Sequence, residues 1–179
     1  MFDFDDDGDF DLMDLVEADI QYGLFEDDYQ ECIPAPIRKD EEFVTGLKRI
    51  TPKIDNAYKE VMNALNSNAS DRILFQKYKQ LVDCQIEAFY IYANKLDKDF
   101  IYIQKQVEKL MDISDIQMDF EDGCDYLETC LDSFDDLLSG QFDNLFPKEI
   151  ELYSNKLEEL QKEYDRFEDL KTDIEFMMN

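Results

Sequence analysis

Apolar residues recur at steps of three and four along most of the chain after residue 50, the spacing that gathers them on one face of a helix. The pattern predicts four helices, over about residues 51–66, 71–111, 119–139 and 147–178. Only five glycines and four prolines interrupt the chain, and this scarcity favours long helices over a many-stranded sheet. We therefore predict an all-α fold, an elongated helical bundle with coiled-coil-like packing.

The longest apolar stripe lies between residues 71 and 111. Its members are Phe75, Tyr78, Val82, Phe89, Ala93, Leu96, Phe100, Ile103, Val107 and Leu110. Four lysines of the same segment, Lys95, Lys98, Lys105 and Lys109, fall at outer positions of this pattern. We expect them to be poorly placed to pair with the acidic helix of the same molecule, and they could pair with a neighbouring copy in a homo-oligomer.

Thr51 and Pro52 mark the predicted start of the first helix, because threonine is a good N-cap and proline suits the first helical position. The polar run at residues 66–70 marks its end. The apolar stripe predicted between these signals is Ile54, Tyr58, Val61, Met62 and Leu65. Residues 40–49 carry a pattern of their own, which predicts a separate short helix before Thr51.

The chain before these helices is predicted as an acidic N-terminal arm, residues 1–39, in front of a helical bundle, residues 40–179. Within the arm, the apolar positions of residues 11–24 suit a short helix, and residues 26–39, which include two prolines, are predicted as a loop.

Charge divides the chain into blocks. The net charge is −27, and residues 1–31 contribute 13 acidic residues and no basic residue. Residues 112–147 contribute 11 more acidic residues, again with no basic residue, whereas residues 32–111 are nearly neutral. Two blocks without a single lysine or arginine indicate a surface that is built to be negative, and such a surface steers cationic partners toward it.

The second acidic block overlaps the helix predicted at 119–139. The apolar stripe of this helix is Phe120, Cys124, Leu127, Leu131, Phe134 and Leu138. If the apolar stripe of that helix faces the core, seven carboxylates share its outward face: Glu121, Asp122, Asp125, Glu128, Asp132, Asp135 and Asp136. They give roughly one negative charge per 3.2 Å of helix axis, and a DNA strand carries about one phosphate per 3.4 Å. Neighbouring like charges destabilise a helix, so the presence of seven carboxylates with no cation among them favours a role in binding.

These observations predict an inhibitor that mimics nucleic acid and blocks the basic groove of a nucleic-acid-binding protein, such as a bacterial defence nuclease. In acidity, size and helicity the chain is similar to phage-encoded anti-restriction and anti-CRISPR proteins. The predicted contacts are the seven carboxylates above and, in second place, four acidic residues of the arm, Asp11, Asp14, Glu17 and Asp19. Two alternatives stay open, an immunity protein against a basic toxin and a coiled-coil scaffold that associates with itself.

Residues 3–14 resemble the calcium-binding loop of an EF-hand. The loop would offer oxygen ligands from Asp3, Asp5, Asp7, Asp9, Asp11 and Asp14, with Gly8 at the position of the sharp turn. It departs from the EF-hand pattern at Asp14, where the longer glutamate is usual. The resemblance implies a Ca²⁺ site and, as a further alternative, a calcium-responsive adaptor protein.

The composition argues against most other functions. The chain has no histidine, no phosphate-binding glycine loop and no paired-cysteine zinc spacing, so we expect a binding protein and not an enzyme. Its charge repels phosphate and anionic lipid, which disfavours direct binding to nucleic acid or to membranes. With no basic, apolar leader at the N-terminus and four scattered cysteines, we expect a cytoplasmic protein whose thiols stay reduced.

Overall fold

A computed structural model describes residues 33–177 of the protein. Within this range the chain forms four helices: α1, Glu41–Asn66; α2, Asp71–Val107; α3, Ser114–Asp132; and α4, Pro147–Met177. Backbone pairing of the β type is limited, in this part of the chain, to one isolated bridge between Pro34 and Asp112. The predicted all-α fold class is therefore confirmed.

The longest helix, α2, is the centre of the bundle. The other three helices all pack against α2, and α3 packs against α4 as well, whereas α1 and α3 do not contact each other. At 37 residues, α2 is roughly 55 Å long. The core between the helices is rich in phenylalanine, with six of these side chains fully buried: Phe75, Phe89, Phe120, Phe134, Phe142 and Phe167.

The contact between α2 and α3 is close because Gly123 has no side chain. A Cβ atom at Gly123 would lie 2.7 Å from Cδ2 of Leu96, which is itself fully buried and has little room to move. The glycine thus lets α3 approach the middle of α2, and the outward face of α3 is set by this approach.

Helix α1 is continuous from Glu41 through Pro52, so the sequence prediction of two helices that divide at Thr51 was wrong. Proline inside a helix removes one backbone hydrogen bond and crowds the preceding turn. Packing outweighs this cost, because the buried face continues across the proline from Ile50 to Ala57. The N-terminus of α1 is capped by Asp40, whose carboxylate accepts the Phe43 N–H at 3.0 Å.

The buried face of α1 also differs from the predicted stripe. Ile50, Ala57, Val61 and Ala64 are buried, whereas three members of the predicted stripe are exposed: Tyr58, Met62 and Leu65. The small alanines bring α1 close to α2, and the larger apolar side chains are left beside the contact.

Two helices end in the left-handed turn that is common at helix C-termini. Asn68 adopts a φ of 49° after α1, and the polar run that contains it was predicted as a helix end. Leu110 adopts a φ of 56° after α2, and Met111 N–H bonds back to the Gln106 carbonyl at 3.1 Å. Helix α2 therefore ends at Val107, earlier than predicted, and Leu110 is 86% exposed although it was assigned to the apolar stripe.

Helix α3 begins earlier and ends earlier than the predicted 119–139. It begins at Ser114, whose N–H and hydroxyl both bond to the Asp112 carboxylate. After Asp132 the backbone tightens, because Asp135 N–H bonds to the carbonyl three residues before it. This change of turn buries Leu137, which the stripe did not include.

Helix α4 begins at Pro147, as the sequence predicts, and Met178 of its predicted stripe lies outside the described residues. Its buried residues repeat at intervals of seven: Tyr153, Leu160, Phe167 and Ile174. This spacing suits the coiled-coil-like packing that the sequence predicts, which stays a prediction.

Replacing Pro52 by alanine tests the continuity of α1. In a continuous helix, alanine restores the hydrogen bond to the Lys48 carbonyl and relieves the crowding. We expect P52A to raise the free energy of unfolding by about 1–3 kcal/mol, measured by urea denaturation. If a helix instead began at Thr51, proline would occupy a favourable first position, and P52A would be neutral or destabilising.

Candidate acidic binding surface

The seven carboxylates predicted as a binding surface lie on one side of α3 and on the turns that follow it. We call them the acidic face: Glu121, Asp122, Asp125, Glu128, Asp132, Asp135 and Asp136. Six of the seven are exposed, and Glu121 is half-buried, where its carboxylate accepts a hydrogen bond from Gln117 at 2.8 Å. The core-facing side of α3 is formed by residues such as Phe120, Cys124 and Leu127.

The acidic face is not one straight helical array, which corrects the sequence prediction. Helix α3 carries the first five carboxylates, from Glu121 to Asp132, and turns that are not α-helical carry Asp135 and Asp136. On the helical part the spacing is roughly one carboxylate per 3.3 Å of axis, close to the spacing predicted for all seven.

No lysine or arginine among residues 33–177 forms an ion pair with the acidic face. Elsewhere in this range nine of the eighteen lysines and arginines are paired with a carboxylate. Arg49 and Lys53 both contact Glu87, and Arg166 contacts Asp97 and Glu163. The acidic face is thus left without a counter-ion from the described residues, whereas carboxylates such as Glu87, Asp97 and Glu163 have one.

Two of the four lysines, Lys95 and Lys98, take part in a network of ion pairs. The expectation that these lysines do not pair with the acidic helix was wrong for Lys95, because its partner Asp119 lies on α3. Lys95 is only 9% exposed, and its Nζ lies 2.7 Å from both Asp99 and Asp119. Lys98 Nζ lies 2.7 Å from Glu42. Lys105 and Lys109 are exposed, as expected.

The centre of this network is the buried carboxylate of Asp99, which is 5% exposed. Arg38 Nη2 lies 2.8 Å from Asp99 and 3.0 Å from Asp40. Burial works against the charge of Lys95, but hydrogen bonds and attraction from Asp119 and Asp99 outweigh it and raise the pKa of Lys95. We call Arg38, Asp40, Lys95, Lys98, Asp99 and Asp119 the buried ion network.

The network shows how α3 divides its acidic residues. Asp119 lies on the flank toward α2 and pairs with Lys95, whereas Asp122 and Asp125 lie on the outward side.

The sequence prediction omitted Asp115, which is exposed on the first turn of α3 and has no ion pair within residues 33–177. The available signal was Asp112 followed by Ser114, since the Asp112 carboxylate accepts hydrogen bonds from the Ser114 N–H and hydroxyl where the helix begins.

The candidates in the N-terminal arm lie outside the described residues. These are the proposed calcium ligands, Asp3, Asp5, Asp7, Asp9, Asp11 and Asp14, and the secondary contacts Glu17 and Asp19. Within residues 33–177, no group of three or more cysteine or acidic side chains is arranged to hold a metal ion.

The cysteines of the described residues are placed for packing. Cys124 and Cys130 are buried, and burial is the main reason that the pKa of each thiol rises to about 12. Burial also raises the pKa of the half-buried Cys84. These thiols are therefore protonated at neutral pH, which makes them poor nucleophiles and poor metal ligands.

Comparisons with protein-family models, with curated proteins and with solved structures found no match to this chain. None of the helices in residues 33–177 combines the length and the apolar character that crossing a membrane requires.

Replacing Asp125 by asparagine tests whether the acidic face repels itself. Asp125 has acidic neighbours on adjacent turns at Glu121, Asp122 and Glu128. Removing its charge should raise the free energy of unfolding by about 0.5–1 kcal/mol at low salt, and the gain should shrink in about 1 M salt.

The matched control is D165N on α4. Asp165 is also exposed and accepts a hydrogen bond from Gln161, and Lys162 on the preceding turn offsets the repulsion from Glu168 and Asp169 on the following turn. We expect D165N to be neutral or slightly destabilising in urea denaturation. Equal gains from D125N and D165N, or a gain that salt does not reduce, would argue against self-repulsion of the acidic face.

Proposed function

We propose that this protein is an acidic inhibitor that mimics nucleic acid and occupies the basic nucleic-acid-binding groove of a target protein, such as a bacterial defence nuclease. The observation that carries the proposal is the acidic face. Its seven carboxylates line one side of the bundle, and no described lysine or arginine neutralises them. A basic partner would supply the missing counter-charges.

The physical basis is substitution for phosphate. Proteins that bind nucleic acid place lysine and arginine where they meet phosphate oxygens, and binding gains from the release of condensed counter-ions. Carboxylates at a similar linear density offer the same side chains similar contacts. Because α3 already holds five of the carboxylates in place, few of them must be ordered when the partner binds.

The like charges on α3 also favour this interpretation. An outward helix face that carries both positive and negative residues is stabilised by ion pairs between positions i and i+4. On the acidic face these positions hold like charges, as at Glu121 with Asp125 and at Glu128 with Asp132. A partner that binds there relieves the repulsion. Relief of this repulsion therefore contributes favourably to the free energy of binding.

The test is to neutralise the acidic face and to compare the result with an equal change elsewhere. The test variant is D122N/D125N/E128Q/D132N/D136N, and the control is E151Q/E158Q/D165N/D169N/D173N on the outward side of α4. All ten side chains are exposed and outside the described ion pairs, and both variants change the net charge by the same amount.

Each variant is immobilised and used to capture proteins from bacterial lysate at physiological salt, with quantitative mass spectrometry as the readout. We expect the test variant to lose at least about tenfold of the basic nucleic-acid-binding protein that the unaltered chain retains. The α4 control should keep most of it. Equal capture by both variants would contradict a role for the acidic face, and equal loss would indicate that net charge alone governs binding.

A further inference from the structure

A groove lies beside one end of the acidic face. Because α1 and α3 both pack on α2 but not on each other, they leave a space of about 610 Å³ over α2. Helix α1 contributes Ile54 and Tyr58 to its lining, α2 contributes Tyr78 and Leu81, and the end of α3 contributes Asp132. The groove is therefore formed by three helices, and it opens next to carboxylates of the acidic face.

The lining combines an apolar surface, an exposed aromatic ring and carboxylates. Ile54 and Leu81 are half-buried against the core, and Tyr58 is 56% exposed. Three aspartates line the same groove, Asp55, Asp132 and Asp136, and Lys59 is the one cation among its lining residues. None of these four charged side chains is in an ion pair within residues 33–177, so the groove keeps a net negative charge.

Tyr78 adds a buried polar group on the α2 side of the groove. Its side chain is buried, and burial followed by the nearby carboxylate of Asp136 raises the pKa of its phenol. Its hydroxyl is therefore neutral at physiological pH and interacts with the carboxylate of Asp136, which also lines the groove.

We propose that this groove receives an arginine side chain of the basic partner, an inference that rests on the proposed function. The aliphatic stem of arginine would pack on Ile54 and Leu81. Its planar guanidinium would stack on the ring of Tyr58 and donate hydrogen bonds to the carboxylates of Asp132 and Asp136. An arginine bound there would extend the contact that the acidic face makes with the partner's surface.

The lining selects arginine over other ligands. Nucleotides and other anions are repelled by the three aspartates, and an uncharged apolar ligand would leave these carboxylates beside an apolar surface. Lysine has a compact, strongly hydrated charge that stacks poorly, so the exposed ring of Tyr58 favours arginine.

The experiment uses calorimetry of the full chain with two end-blocked peptides, hexa-arginine and hexa-lysine, at physiological salt. We expect the unaltered chain to bind hexa-arginine more tightly than hexa-lysine. Y58A should weaken hexa-arginine binding by about two- to fivefold and reduce this preference, because the stacking surface is lost. Y58F keeps the ring and should behave like the unaltered chain.

The control for a lost aromatic residue is F176A, since Phe176 is 75% exposed on α4, away from the groove residues. F176A should leave both affinities unchanged. The charge comparison is D132N/D136N, which should weaken hexa-arginine binding more than D122N/D125N, although both pairs remove two charges of the acidic face.

An arginine preference that Y58A leaves intact, or equal losses from the two aspartate pairs, would overturn the groove as an arginine site. Such a result leaves the proposed function standing, because Tyr58 carries no charge and lies outside the acidic face. Failure of the proposed function is seen separately, when the five-amide variant of the acidic face still captures the partner.

Discussion

The fold depends on a buried network of ion pairs around Asp99 and Lys95. These two side chains are removed from water on α2, and each needs its partners because an unpaired buried charge is costly. Arg38 brings the segment before α1 onto Asp99, and Asp119 brings α3 onto Lys95. Loss of one partner would leave a buried charge of Asp99 or Lys95 less compensated and would destabilise the fold. The network thus fixes both the entry into α1 and the orientation of α3.

The orientation of α3 links the fold to the proposed function. Lys95 holds one flank of α3 through Asp119, and Gly123 lets the middle of the helix approach Leu96. With these contacts made, the opposite side of α3 faces solvent and carries the acidic face. The network also draws in Lys95 and Lys98, two cations that the sequence pattern left available, and pairs them with Asp99, Asp119, Asp40 and Glu42. The carboxylates of the acidic face remain unpaired with any cation of residues 33–177.

Much of this arrangement follows from local patterns in the sequence. Apolar spacing predicts the all-α fold and the outward side of α3, because in α3 the apolar residues of the helical period are the ones that face the core. The same reasoning fails at Pro52, where burial of Ile50 and Ala57 overrides a strong local start signal. It also fails at Lys95, which the periodicity places at an outer position but which is buried beside Asp99 and Asp119, because the apolar pattern of one helix does not show where the next helix packs. The groove beside Tyr58 could not be predicted at all, since it exists only because α1 and α3 pack on the same helix without touching.

The central claim is that the acidic face takes the place of nucleic acid, and competition tests it most directly. The protein is immobilised, loaded with the basic protein that it retains from bacterial lysate, and titrated with duplex DNA or RNA at constant ionic strength. Mimicry predicts that nucleic acid displaces the bound protein at concentrations near its own affinity for that protein, because both ligands occupy one groove. A bound protein that stays in place at saturating nucleic acid would contradict the claim and would indicate an acidic docking surface directed at a different site, as in an immunity protein.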